Sequence, residues 1–131
     1  MGARVLVIED NVDSRSLMTY LLHAFGHDPV EACTGEEGLD LVQAQAPDLV
    51  VCDLALPGID GFVFLRRLRE RTELRRIPLI AVTAFAMVGD RERALRAGFD
   101  GYIPKPIVPE TFVAQLEGFL VSPNGRPGGG T

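Results

Sequence analysis

The chain has 131 residues, which is the length of one domain, so a second domain of ordinary size is excluded. Hydrophobic residues make up 47% and charged residues 24% of it, a balance that excludes intrinsic disorder as its main state. The net charge of −5 disfavours nucleic acid as a partner, because a phosphate backbone would be repelled. No apolar stretch reaches the roughly 18 residues of a membrane span, and no cleavable signal pattern follows Met1. We therefore expect a cytoplasmic protein with no membrane partner.

Short apolar runs rich in β-branched residues recur along the chain and predict strands that are buried on both faces. The predicted strands cover 4–9, 29–33, 48–53, 78–83 and 100–103. The second and the fifth are weaker and are inferred chiefly from the helical patterns around them. Cys33 and Cys52 fall in two of these strands, and their spacing and number do not fit a metal pair or a secreted disulfide framework. We expect both to be buried as small apolar side chains.

Helical periodicity fills the intervals between the predicted strands. The predicted helices cover 12–25, 34–46, 61–71, 86–97 and 109–121. Thr34, followed three residues later by Glu37, forms a capping box at the start of the second helix. Gly26 and Gly98 mark the carboxyl ends of the first and the fourth helix, and Pro109 is a favourable first residue for the fifth.

The regular alternation of strand and helix predicts an α/β fold with a parallel sheet and right-handed crossovers. A five-stranded chain of this length fits a doubly wound sheet in the order 2-1-3-4-5, which binds its ligand outside the carboxyl ends of the strands, near strands 1 and 3. We expect a single domain over residues 1–121. Residues 122–131 are dominated by glycine and proline and predict a flexible tail.

Acidic residues follow two of the predicted strands at this edge of the sheet. Glu9 and Asp10 end the first strand, and Asp53 ends the third. Acidic residues commonly end strands and cap the next helix, and Asp10 alone is explained equally well in this way. Three carboxylates that meet in one crevice repel one another, however, and a hard divalent cation with oxygen ligands relieves that repulsion. The sequence therefore predicts a Mg²⁺ site at this edge.

Two further polar residues lie at the same predicted edge. Lys105 is the only lysine in the chain and stands between Pro104 and Pro106. Its flexible stem and point charge suit pairing with a carboxylate or a phosphoryl oxygen in the acidic crevice. Thr83 ends the fourth strand, where it is either an ordinary β-branched strand residue or a hydroxyl donor to a phosphoryl oxygen.

Taken together and in order, these motifs resemble the receiver domain of two-component response regulators. The resemblance runs from Arg4 to Leu120 and rests on the segments VLVIEDN, VVCDLALPGIDG, AVTA and GYIPKP. It implies a flavodoxin-like receiver fold with five helices. The chain departs from the family at Glu9, where aspartate is most frequent, and at Ala55, which is often polar or bulkier.

The resemblance implies a role for each residue of the acidic crevice. Asp53 would accept a phosphoryl group from a phosphohistidine on a sensor histidine kinase or a histidine phosphotransfer protein, with Lys105 and Thr83 in contact with that group. Mg²⁺ would be held by four residues: Glu9, Asp10, Asp53 and, through its backbone carbonyl, Ala55. The protein would be a switch that assists its own phosphorylation and dephosphorylation rather than an enzyme.

The resemblance also implies an output. Thr83 and Tyr102 would move on phosphorylation and change the surface around helix 86–97, which includes Phe85 and Met87 and would bind a downstream target protein. The start at Met1 and the lack of an effector domain favour a free-standing regulator. The alternatives are the receiver segment of a larger regulator or hybrid kinase, and a degenerate receiver used only as an interaction scaffold.

Other classes and other residues receive weaker support. A flavodoxin-like FMN carrier would need a phosphate cradle where Glu9 and Asp10 would repel one. A phosphatase of the haloacid dehalogenase type would need a second aspartate at the position of Ala55. The arginine-rich third helix is interleaved with glutamates and is typical of a solvated face. His23 and His27 lack a third ligand, so we assign them no metal and no phosphorelay role.

Overall fold

The computed structural model describes residues 2–71, 76–84 and 88–120. Within them, five strands form one parallel sheet in the order β2-β1-β3-β4-β5. The strands are β1 (Arg4–Ile8), β2 (Asp28–Ala32), β3 (Leu49–Cys52), β4 (Leu79–Thr83) and β5 (Gly101–Pro104). The predicted fold class and strand order are confirmed.

Helices cover both faces of this sheet. They are α1 (Val12–Ala24), α2 (Gly35–Gln45), α3 (Gly61–Arg69), α4 (Asp90–Ala97) and α5 (Pro109–Glu117). Because successive strand residues point to opposite faces, Val5 and Val7 pack with α1 and α5 while Leu6 and Ile8 pack with α2, α3 and α4. The two resulting cores hold the carboxyl ends of the strands at a fixed spacing.

All five helices are shorter than the sequence predicts, and α4 and α5 differ most, by four residues each. Helix α4 begins at Asp90 rather than at residue 86, because Gly89 has a φ of 94°, which no helix interior accommodates. Helix α5 ends at Glu117 rather than at residue 121. Beyond it the N–H groups of Phe119 and Leu120 donate to carbonyls three residues back, so the last turn tightens.

The predicted burial of the two cysteines is correct for Cys52 and wrong for Cys33. Strand β2 ends at Ala32, so Cys33 lies in the exposed turn before α2. The backbone N–H of Cys33 donates to Oε1 of Glu37 at 2.7 Å, while Oγ1 of Thr34 accepts from the N–H of Glu37 at 3.1 Å. The predicted capping pair therefore forms, but its glutamate bonds to the residue before the N-cap.

Some predicted features lie outside the described residues. These are the tail at 122–131 and two residues of the predicted output surface, Phe85 and Met87. The extent of the domain, 1–121, stays a prediction. Among the helices that are described, none has the length and apolar character needed to cross a bilayer.

Candidate functional site

The acidic residues predicted to share a crevice do so. Ile8 of β1 pairs in register with Cys52 of β3, and the N–H of Asp53 donates to the Ile8 carbonyl at 3.0 Å. The next residues of both strands therefore meet. Carboxylate oxygens of Glu9, Asp10 and Asp53 all lie within 4.8 Å of one another. Glu9 and Asp53 are buried, with 1% and 6% exposure, whereas Asp10 is exposed.

Lys105 reaches this cluster from the residue after β5. Its Nζ donates to Oδ2 of Asp53 at 2.9 Å and to Oε1 of Glu9. Its backbone N–H donates to the carbonyl of Thr83 at 2.9 Å, which ties the end of β4 to the same site. The Lys105 ammonium group thus bridges two of the three carboxylates.

The pKa shifts in the cluster follow from burial and charge. Burial raises the pKa of the Glu9 carboxyl, and repulsion from Asp53 adds to the rise, although bonds from Lys105 and Asn11 oppose it. Burial alone would lower the pKa of Lys105, but its bonds to Glu9 and Asp53 outweigh that effect and raise it. Lys105 therefore stays charged at neutral pH and faces more negative charge than it can balance.

The segment after Asp53 fixes the orientation of that carboxylate. The N–H of Ala55 donates to Oδ1 of Asp53 at 2.9 Å. At the start of α3, Asp60 caps the helix by accepting from the N–H of Val63 at 2.9 Å. A Cβ on Gly61 would lie 2.8 Å from the backbone oxygen of Asp53, so this position requires glycine for close approach.

The two residues predicted to act as a switch lie on neighbouring strands. Thr83 is fully buried at the end of β4, opposite Pro104 in register. Tyr102 of β5 is partly buried against the core that includes α4. Burial raises the pKa of Tyr102, and the charge of Asp90 in the first turn of α4 raises it further. Tyr102 is thus placed between the sheet and α4.

One residue that the sequence analysis did not single out also contacts the site. Nη1 of Arg15 donates to the backbone carbonyl of Glu9 at 2.8 Å, and its Nε donates to Oε1 of Glu31 at 2.9 Å. The side chain is only 14% exposed. The available signal was its place near the amino end of α1, where the helix dipole disfavours a cation.

Comparison with known proteins identifies the family. The family model that describes the response regulator receiver domain matches residues 5–117. The chain belongs to this family. DivK, a polar-differentiation response regulator of Brucella ovis, is 39% identical to this receiver domain over 120 residues, or 92% of this chain and 98% of the relative.

Solved structures agree with the family and the fold. A putative response regulator from Chloroflexus aurantiacus matches this receiver domain with a TM-score of 0.84 and 26% identity, over 89% of this chain and 96% of that one. The receiver domain of sensor histidine kinase PA1611 from Pseudomonas aeruginosa matches over the same shares, with a TM-score of 0.81 and 31% identity. That protein has a magnesium ion coordinated in its active-site cleft.

The protein is therefore a response regulator receiver domain of two-component signalling, a class that acts as a signalling switch and works with histidine kinases and downstream targets. This assignment removes the FMN carrier and the phosphatase as alternatives. The donor set fits the metal of such domains, since three carboxylates within 4.8 Å are the hard oxygen ligands that Mg²⁺ prefers.

Proposed function

We propose that Asp53 is the phosphoacceptor of this receiver domain and that its donor is a phosphohistidine on a histidine kinase or a histidine phosphotransfer protein. The observation that carries this proposal is the position of Asp53, buried at the end of the central strand with one oxygen bonded to Lys105. In the transfer, a carboxylate oxygen of Asp53 forms a bond to phosphorus. The phosphorus–nitrogen bond breaks, and its electron pair returns to the donor imidazole.

The residues that would hold Mg²⁺ are Asp10, Asp53, Glu9 and the backbone carbonyl of Ala55. Asp10 is exposed and is the most accessible ligand, whereas both oxygens of Glu9 already accept bonds, from Lys105 and Asn11. When bound, Mg²⁺ would offset the negative charge of the transferring phosphoryl group. Lys105, which donates to Oδ2 of Asp53, would offset part of the same charge.

The switch would use the two residues beyond the acceptor. The Thr83 hydroxyl donates to a phosphoryl oxygen, and Tyr102 turns into the space that this movement leaves. Support comes from the burial of Thr83 and from the proximity of Tyr102 to Asp90 on α4. Helix α4 has one buried residue, Ala94, so few apolar contacts oppose a shift of this helix. Such a shift would alter the surface that a downstream target binds.

Intact-mass measurement after incubation with a small phosphodonor and Mg²⁺ tests the acceptor. We expect a gain of one phosphoryl group per protein molecule, because the site has one acceptor carboxylate. Asp53→Asn should abolish the gain, while Asp40→Asn, which changes an exposed carboxylate on α2, should leave it intact. Equal labelling of the Asp53 variant would show that another residue is the acceptor, and an unlabelled wild type would favour the degenerate scaffold.

The emission of Tyr102 tests the switch. The chain has two tyrosines and no tryptophan, so Tyr20→Phe leaves Tyr102 as the only strong fluorophore. We expect its emission to change on phosphorylation, and we expect Thr83→Ala to be phosphorylated without that change. Thr111→Ala, an exposed threonine on α5, is the control and should respond like the parent. A full response in the Thr83 variant would contradict the coupling.

A further inference from the structure

We infer that Arg15 is a positioning residue for the metal site: it holds the peptide between Glu9 and Asp10 so that the Asp10 carboxylate faces Asp53. This inference rests on the proposed function, because it concerns the residues that would hold Mg²⁺.

The geometry around Glu9 supports a role in positioning. Strand β1 ends at Ile8, and the backbone N–H of Glu9 still bonds across to the carbonyl of Ala32 at 3.0 Å. The carbonyl of Glu9 accepts from Nη1 of Arg15 at 2.8 Å. On the carboxyl side of Asp10, the N–H of Asn11 donates to Oε2 of Glu9 at 3.1 Å. Asp10 therefore stands between two fixed backbone groups.

Arg15 is itself anchored. Its Nε donates to Glu31 on β2 at 2.9 Å, and its own N–H donates to the carbonyl of Asn11 at 2.9 Å in the first turn of α1. The planar guanidinium therefore joins β2 and α1 to the turn between β1 and α1 in one rigid fork. Without this fork, the turn would lose the bond that fixes the peptide leading into Asp10.

Electrostatics and positioning make opposite predictions about Arg15. A positive charge close to the acidic cluster repels a divalent cation, so on charge alone its removal should tighten Mg²⁺ binding. If the residue instead orients Asp10, its removal should weaken binding, as the loss of groups that orient metal ligands generally does. The sign of the change therefore decides between the two effects.

The chain supplies a matched control in Arg4. Its Nε donates to Asp28 of β2 at 2.9 Å, and its Nη1 donates to the carbonyl of Gln45 at 2.9 Å. These are the same two kinds of bond that Arg15 makes. Arg4, however, begins β1, at the opposite edge of the sheet from the acidic cluster. Arg4→Met thus removes the same charge and the same bonds without touching the site.

The experiment measures the dissociation constant of Mn²⁺, which takes the same oxygen donors as Mg²⁺, by counting free ion with electron paramagnetic resonance. Mg²⁺ competition confirms that both ions share the site. We expect Arg15→Met to raise the dissociation constant by about tenfold, while Arg4→Met leaves it unchanged. Arg15→Lys keeps the charge but not the fork, so it should also weaken binding and carries the test if Arg15→Met does not fold.

An unchanged or a lower dissociation constant in the Arg15 variants overturns the inference, since it would mean that Asp10 is placed without Arg15. Equal weakening in Arg4→Met overturns it too, because the effect would then follow from general loss of stability. A wild type whose Mn²⁺ binding is absent, or is unaffected by Asp10→Asn, contradicts the metal assignment of the proposed function and this inference with it.

Discussion

At the scale of single residues, Tyr102 connects the sheet to the helix that would move. It lies on β5 and is partly buried, and both its burial and the charge of Asp90 favour the neutral phenol. Its folded-state pKa is therefore raised above 10.0, the value that an unperturbed tyrosine has. The ionisation of Tyr102 thus reports on its distance from α4.

We predict that Tyr102 ionises above pH 10.0 in the folded Tyr20→Phe protein, as followed by the ultraviolet absorption of tyrosinate. Asp90→Asn should move the midpoint downward but leave part of the shift, because burial is its larger cause. Since the folded pKa is the higher one, the stabilising contribution is complete below pH 10.0 and is lost as the pH rises through the folded pKa. A midpoint that does not respond to Asp90→Asn would contradict this account.

Gly61 shows how one atom can disturb the acceptor. A Cβ there would lie 2.8 Å from both the Asp53 oxygen and the Leu54 Cα, and neither backbone atom can yield without moving the segment after Asp53. We predict that Gly61→Ala lowers the free energy of unfolding by about 1–3 kcal/mol and slows labelling of Asp53.

Gly118→Ala is the matched control for Gly61→Ala. Gly118 has a helical φ of −64°, and its nearest neighbour would be at an ordinary 3.4 Å. Alanine should therefore be neutral or stabilising by about 0.4–1 kcal/mol. Urea unfolding of both variants tests the contrast, and similar losses of stability in the two would show that close approach at Gly61 is not the cause.

At the scale of elements, the buried His27 links the amino ends of β1 and β2 to the carboxyl end of α5. His27 lies just before β2, and its Nδ1 accepts from the N–H of Ala3 at 2.9 Å, ahead of β1. Its Nε2 is 2.8 Å from Oε2 of Glu117, the last residue of α5. Because Nδ1 is the acceptor, the proton is on Nε2, which donates to Glu117. A neutral imidazole thus joins α5 to the amino-terminal end of the sheet, which is opposite the acidic cluster.

We predict that His27→Leu lowers the free energy of unfolding by about 1–3 kcal/mol, because the partly buried N–H of Ala3 loses its partner. His23→Leu changes an exposed histidine in the last turn of α1 and should alter stability by less than about 0.5 kcal/mol. Urea unfolding compares the two. If the two variants lose the same stability, the bonds of His27 do not contribute as described.

The sequence was sufficient to predict features that depend on local pattern. Apolar runs and helical patterns predict a parallel sheet, and the strand ends predict the meeting of Glu9, Asp10 and Asp53, because parallel strands end at one edge. The strand order fits a chain of this length and follows from the resemblance to the receiver family. Contacts between residues distant in the chain could not be predicted in this way. The bond from Arg15 to Glu31 arises only once α1 is packed beside β2.

The exact ends of helices and strands could not be predicted from the sequence pattern either. Apolar periodicity extends before the start of α4 and beyond the end of α5. The positive φ of Gly89 delays the start of α4, and the tightened turn at Phe119 ends α5 early. Cys33 was expected to be buried because its strand was taken one residue too far. Strand β2 ends at Ala32, so Cys33 falls in the exposed turn that follows it.

At the scale of the whole molecule, the acidic edge opposes the stability of the fold. Burial raises the pKa of Glu9 despite its bond to Lys105, which indicates that the ionised cluster is not fully balanced. Functional sites commonly carry such a cost, and the rest of the structure offsets it. Here the offset comes from two apolar cores, one on each face of the sheet.

We predict that the stability of the whole domain depends on Mg²⁺ through Asp10. Without metal, Asp10→Asn should be more stable than the wild type by about 1 kcal/mol or less, because it removes repulsion at a solvent-exposed position. With Mg²⁺ at about one hundred times its dissociation constant, the wild type should gain about 2.7 kcal/mol, and the variant should gain less because it lacks a ligand. Asp13→Asn, an exposed acid of α1 outside the cluster, should gain as much as the wild type. Thermal unfolding with and without Mg²⁺ tests the crossover, and equal gains in the wild type and the Asp10 variant would show that the metal does not act through this carboxylate.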